Sequence, residues 1–570
     1  MKKVLFLIAG AVIILASCNE EKKETEKSKS EKNMEKELSA FIDKLVAEIK
    51  PLETELSEAS FAAAVSGKDE DYEKSAQLEI KYRLIYTDKK RFEELKNIKE
   101  NGNIKDELLK RQLENLYNDF LSMQIDEEKM QKMVMLANEV DKKFSNFRTT
   151  VDGKKLTDNE VEDILRTSAD NKKLEKTWTA CKDIGPVVSE DVKTLVKMRN
   201  EVAKDLGFNN YHEMSLKLGD QDPQEISKLF DELDNLTRDA YIAQKKEIDS
   251  VLAAKYKLKP EELKPWHYQN RFFQEAPQIY KVDLDKYYAK KDIVALIKDY
   301  FESIGLPIAD LIEKSDLFEK PGKNQHAFCS DFNREGDVRV LCNVKPNNYW
   351  MNTMLHEYGH AVYDKFNDRD LAFLLRSPAH AFTTEAIAML FGRFSANAQW
   401  IQDMTGINDE EKTKIAEDAF KTLRLEQLVF SRWAQVMYRF EKAMYENPDQ
   451  DLNALWWNLV EKYQMVKKPE GRDMPDWATK THIASTPCYY HNYLMGELLA
   501  SQLYYKIVKD VIKSDDYSLQ SFKGNTEVGK FLTENVFKPG NRWYWNDMIE
   551  KATGEKLTAK YYAKQFVGGK

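Results

Sequence analysis

The sequence predicts a mainly α fold, on three observations. Glycine (21) and proline (15) are sparse in 570 residues, so little of the chain is punctuated by turns. Leu, Lys, Glu, Ala, Tyr and Met dominate long runs whose apolar residues recur at three- and four-residue spacing, the period of a helix with one buried face. One stretch alone, Gln325 to Val344, carries the short β-prone pattern of paired strands. A chain of 66.5 kDa can bury a large core, expected here as one large unit or two lobes. Its net charge of −9 has both signs interspersed and no basic stripe, which argues against nucleic acid as a partner.

Taken in order, residues 1–17 read as a lipoprotein signal peptide. Lys2 and Lys3 precede the apolar run Val4 to Leu15, and Leu15-Ala16-Ser17-Cys18 has the form of a bacterial lipobox, with Cys18 the expected acylation site. Residues 18–34 are rich in Lys, Glu, Ser and Thr, and are expected to be a flexible tether too polar to fold by itself. The expected location is therefore the bacterial cell envelope, lipid-anchored and at the outer membrane, on its periplasmic face or at the cell surface. The body spans 35–570: a helical cover over 35–185 and a catalytic part over 186–570. Heptad-like spacing in Leu38-Phe41-Leu45-Ile49 and Leu113-Leu116-Phe120-Met123 predicts helices that carry no chemistry. A further helix follows from Val187, then a turn at Gly207 to Tyr211, and helices are expected to continue to Phe318. His326 to Phe332 and Val338 to Val344 form a predicted hairpin, the one sheet expected. Cys329 and Cys342 flank its turn; they are either bonded or buried free thiols.

The hairpin leads into His356-Glu357-Tyr358-Gly359-His360. In a helix this spacing sets two imidazoles on one face, one turn apart, with a carboxylate beside the first. Two neutral imidazoles and an acid suit zinc, with Glu357 turned toward the open coordination position. Glu385 lies 25 residues beyond His360 in a run of helical apolar spacing, and two antiparallel helices would return it to the metal as third ligand. None of the cysteines has metal-site spacing.

From His326 to Glu385 the residues resemble the angiotensin-converting-enzyme (peptidyl-dipeptidase A) family of gluzincin zinc metallopeptidases, which is related to the thimet oligopeptidase family. The shared order is a His-Ala strand ending Asp-Phe, a strand with Arg-Val, the H-E-x-x-H helix, then Glu-Ala-Ile. The segment Lys480-Thr481-His482-Ile483-Ala484-Ser485-Thr486-Pro487 with Tyr490-His491-Asn492-Tyr493 looks like the family's second catalytic segment. The resemblance implies a two-lobed helical peptidase with a deep channel and a small sheet beside the zinc helix. It implies one Zn2+ per chain, Glu357 as base, and His482 and Tyr493 steadying the oxyanion. His326 and Ala327 would flank the scissile bond, and Lys480, Tyr490 and Gln269 would bind the substrate's C-terminal carboxylate. Three departures stand out. The gap from His360 to Glu385 equals that of the thimet family; Met389 replaces an aspartate one turn after the glutamate ligand; and Asn492 replaces the chloride-binding arginine, which puts chloride in doubt.

The activity so implied is release of C-terminal dipeptides from oligopeptides by a membrane-anchored, monomeric enzyme. Two other readings stand beside it, a zinc oligopeptidase that cuts internally and a lipoprotein that captures peptides without turnover. Retention of Glu357 speaks against the last, since a binder needs no base.

Overall fold

Amphipathic spacing turns into helix nearly everywhere. The computed structural model describes residues 5–280, 282–518 and 520–568, with side chains from Met34 onward. The first helix runs Leu5–Ser66, and its backbone is helical through the stretch read as a tether, which is rich in Lys and Glu, residues of good helix propensity. Residues 1–4 of the expected signal lie outside the described residues, as does the side chain of Cys18. Among the described residues no helix is long and apolar enough to cross a membrane.

The chain divides into two compact units. One comprises residues up to Ala63, Lys68–Gln124 and Ala372–Leu375; the other comprises Ala64–Gly67, Ile125–Leu371 and everything from Arg376. In the first, Leu38, Leu45, Ile49, Leu116 and Phe120 are almost wholly buried in one core, and Phe41 meets Phe120 at 6.2 Å between ring centroids, so both predicted heptads face each other. The second unit holds the larger core and all the predicted metal-binding, catalytic and substrate-binding residues.

Two features of the second unit differ from the sequence reading, and a third decides what it left open. A second hairpin, β1 (Thr149–Val151) with β2 (Lys154–Leu156), turns through Asp152 and Gly153 at φ 50° and 81°, the Asp-Gly signature of a two-residue turn. After the helix Pro223–Tyr256, residues 257–280 and 282–284 do not continue as helix but form a loop with two single 3-10 turns. Pro260, Pro265 and Pro277 each lack an amide donor, and Gln269 and Phe273 take positive φ, 61° and 52°. Third, the Cys329–Cys342 bridge is not formed, and all four cysteines with described side chains are free. In the hairpin β3 (Phe328–Asp331) and β4 (Val338–Leu341), Cys329 pairs with Val340. Cys342 is then its diagonal neighbour, and such neighbours stand about 7–8 Å apart, beyond disulfide reach. The other edge of β4 is taken by Asp316, whose amide donates to Val340 O at 2.9 Å, so β3 carries the edge without a strand partner among the described residues.

Candidate active site

Pro346 stops the chain after the hairpin, and Asn347 caps the helix Asn348–Lys365 by accepting from Trp350 N at 2.9 Å. Met351, Met354, Leu355, Tyr358 and Val362 are fully buried, which fixes the opposite, ligand-bearing stripe toward the cleft. The helix Ala381–Gly392 starts at a His380 cap, whose Nδ1 accepts from Phe382 N at 3.2 Å while Nε2 meets Gly219 O at 2.8 Å.

These two helices pack closely because of Gly359. A Cβ there would lie 2.7 Å from the Ala388 Cα, a separation real structures do not show. Gly496, on the helix His491–Lys506, does the same on the far side of Glu385: its Cβ would meet Met389 Sδ at 3.0 Å and Glu385 Cβ at 3.2 Å. Glu385 is thus clamped between two helices by two missing side chains, and Met389 is a packing thioether.

The predicted triad assembles. His356 Nε2 and His360 Nε2 face each other at 3.3 Å, and Glu385 Oε2 lies 3.7 Å and 3.9 Å from them. A tetrahedral zinc with bonds near 2.0–2.2 Å requires ligand-to-ligand edges of about 3.3–3.6 Å, so the edge between the two imidazoles fits and those to Glu385 are slightly long, within a small side-chain adjustment of the ion's needs. Their protonation fits too. Burial pushes the His356 pKa down to about 4, and burial plus its neighbour His356 pushes His360 down to about 3, so both rings are neutral with a lone pair to offer. His360 Nδ1 bonds Thr384 Oγ1 at 2.8 Å, which leaves its Nε2 for the metal. Thr384 therefore supplies the ligand-orienting bond for which position 389 has no polar atom. This role was not read from the sequence, although Thr384 immediately precedes Glu385.

Glu357 is buried beside the triad, and burial, then the Glu385 charge, raises its carboxyl to about 8. Tyr493 reaches the same place from the helix His491–Lys506; burial and then Glu385 raise its hydroxyl. Tyr489 packs edge-on against Tyr493 at 5.4 Å, and Tyr490 does so at 5.4 Å. His482 lies 5.3 Å from the Tyr490 ring, its Nδ1 buried without a partner and its pKa lowered to about 4 by burial and then by Lys480.

Lys480 is a buried cation with no acid in contact among the described residues. Its ammonium sits 5.4–5.5 Å from the rings of Phe272, Trp433 and Tyr490, and burial lowers its pKa to about 8. It donates one hydrogen bond, to Gln274 Oε1 at 2.7 Å. Trp433 Nε1 donates to the Tyr490 hydroxyl at 2.8 Å, which frees that hydroxyl's own proton for a ligand. Gln269 is placed elsewhere, its Oε1 accepting from Gln278 N at 3.0 Å. Five residues further on, Gln274 is the glutamine the fold brings to Lys480; the positive φ values that decide between the two leave no trace in a spacing pattern.

His326 is exposed at the start of the β3 edge, and Ala327 is half-buried beside it. Asn492 Oδ1 accepts from Gln221 Nε2 at 2.7 Å, and Gln221 Oε1 meets His491 Nε2 at 2.7 Å, so Asn492 is held in a buried network of neutral groups. A cavity of about 840 Å3 opens at His356, lined in part by Tyr349, Arg393, Glu426 and Glu497.

Comparison with known proteins agrees with this geometry. Residues 32–257 and 264–566 match the family described as angiotensin-converting enzyme. The angiotensin-converting enzyme-related protein of Drosophila melanogaster is 21% identical over 296 residues, 48% of this chain and 46% of that protein. Thermostable carboxypeptidase 1 of Pyrococcus furiosus is 21% identical over 265 residues, 42% of this chain and 51% of that protein. The chain spans about half the length of the curated relatives it matches.

Proposed function

The chain belongs to the angiotensin-converting enzyme family, and we propose that it is a zinc peptidyl-dipeptidase, releasing dipeptides from the free C-termini of oligopeptides. The observation that carries this reading is Lys480. A buried ammonium without a counter-ion is costly, and a peptide's terminal carboxylate meeting Lys480 Nζ and the Tyr490 hydroxyl would supply one. Zinc held by His356, His360 and Glu385 would polarise the scissile carbonyl and acidify the attacking water.

The chain's own groups do the rest. Glu357 takes the water's proton and delivers it to the leaving amine. The Tyr493 hydroxyl and the one ring N–H of neutral His482 donate to the developing oxyanion. Lys480, Tyr490 and Gln274 fix the C-terminus, so the distance from anchor to triad sets the cut two residues in. The open β3 edge at His326 and Ala327 supports main-chain pairing with an extended substrate.

The alternative is an oligopeptidase that cuts internally, and the 25-residue gap from His360 to Glu385 favours it as the second reading. Mass analysis of products from matched free-acid and C-terminally amidated peptides, with and without chelator, separates the two. Dipeptide products lost on amidation are expected; equal cleavage of both would reject the anchor.

A further inference from the structure

We propose that Glu426 selects a basic side chain in the departing dipeptide, so that peptides ending in a pair that contains lysine or arginine are the favoured substrates. The inference rests on the dipeptidase reading and adds a substrate class to it.

The helix Asp409–Glu446 gives the geometry. Ala419, Thr422, Leu423 and Glu426 line the cavity that contains His356. Four residues beyond Glu426, Phe430 lies against Tyr490 with ring centroids 6.3 Å apart, and seven beyond it Trp433 hydrogen-bonds the Tyr490 hydroxyl. Positions i, i+4 and i+7 share one face, so a single stripe of this helix runs from the metal end of the cleft to the carboxylate anchor. From Glu426 to Trp433 the helix rises about 10 Å, and two extended residues span about 7 Å. Glu426 therefore stands beside the two residues that leave.

Its surroundings say what it takes. Among the described residues, no hydrogen bond or ion pair reaches the Glu426 carboxylate; the charges nearest it are Glu497 and Glu275, both of its own sign. Glu497 is already satisfied by Arg393 and by Gln427 Nε2 at 3.0 Å. The cavity wall carries Asp283, Asp285, Glu426 and Glu497 against one guanidinium, Arg393, which is spent on Glu497. Glu426 is exposed on the cavity surface, and desolvation by the protein around it, then Glu497 and Glu275, raises its carboxyl to about 7. A lysine ammonium or arginine guanidinium would provide the missing opposite charge. A bound metal ion would not suffice, because the one grouping of three donors among the described residues is the His356–His360–Glu385 triad.

The test uses the zinc-loaded full chain and free-acid peptides identical except for Lys, Ala or Glu in the last two positions, with products read by mass. In the wild type, kcat/KM for the lysine peptide should exceed that for the glutamate peptide about tenfold or more at low salt, and the ratio should shrink as salt is added. Glu426→Gln should bring the ratio near one, and Glu426→Lys should invert it. A wild type that releases dipeptides without charge preference overturns the proposal, as does a Glu426→Gln enzyme that keeps the full ratio. The wild-type ratio and its salt dependence decide the matter even if a variant misfolds. Internal cleavage of free-acid and amidated peptides alike would overturn the dipeptidase reading and this inference together, and the product masses distinguish that from loss of charge preference alone.

Discussion

The His356–His360–Glu385 triad and the proposed carboxylate anchor lie within one unit but are built in opposite ways. His356, His360 and Glu385 project from two regular helices pressed together at Gly359. Lys480 and Tyr490 are helix-capping residues and Gln274 lies in an irregular loop, and they are held by aromatic rings and a few side-chain hydrogen bonds. The first site is therefore fixed by packing and the second by polar contacts across distant segments. If so, damage at the triad should be absolute and independent of the substrate's terminus, whereas damage at the anchor should be partial and visible only with free carboxylates.

The largest effect expected is at the base. Glu357→Gln keeps the shape but cannot accept a proton, so kcat should fall by about 10^3 or more while zinc content, measured by elemental analysis, stays at one ion per chain. Substantial turnover with zinc retained would remove Glu357 from the mechanism. Next is the anchor: Lys480→Met leaves a substrate carboxylate buried without its cation, which costs about 2–5 kcal/mol and should lower kcat/KM on free-acid peptides about 30-fold or more. Any cleavage of amidated peptides should hardly change. An equal loss on both would mean that Lys480 supports the fold rather than the substrate.

The same contrast explains what could be read before any coordinates. The triad was legible because helical spacing converts directly into shared faces: i and i+4 place His356 and His360, and an apolar run announces the helix of Glu385. The heptads at Leu38 and Leu113 were legible for the same reason. Gln274 was not, because which residue of a proline-rich loop turns inward depends on left-handed backbone at Gln269 and Phe273, a tertiary outcome. Thr384 was missed because a hydroxyl on a helix is ordinarily mute; only its 2.8 Å approach to His360 gives it a role. The hairpin around Asp152-Gly153 did carry a turn signal, obscured by three-residue strands too short to show alternation.

Thr384 sharpens the comparison from the triad's side. Removing a bond that orients a metal-bound histidine typically lowers metal affinity about 10–100-fold. Thr384→Val should do so in a chelator competition assay, and Thr384→Ser should restore affinity because the hydroxyl returns. If valine binds zinc as tightly as threonine, packing at Gly359 and Gly496 alone orients His360.

The smallest effect separates the two sites by pH. Burial lowers the Lys480 pKa to about 8, so the free enzyme carries the anchoring charge below that pH and loses it above. Because kcat/KM reports the free enzyme, its value for free-acid peptides should fall toward tenfold per pH unit above about 8. Glu357 has the opposite sign: its carboxyl, raised to about 8 first by burial and then by Glu385, becomes a competent base as pH rises, so it can limit only the acidic side of the profile. That acidic limb should appear whatever the substrate's terminus. The alkaline limb should vanish with amidated peptides and in Lys480→Met, since neither retains an ammonium–carboxylate contact to lose. An alkaline limb that persists unchanged in Lys480→Met would assign it to another group and leave the anchor without its charge.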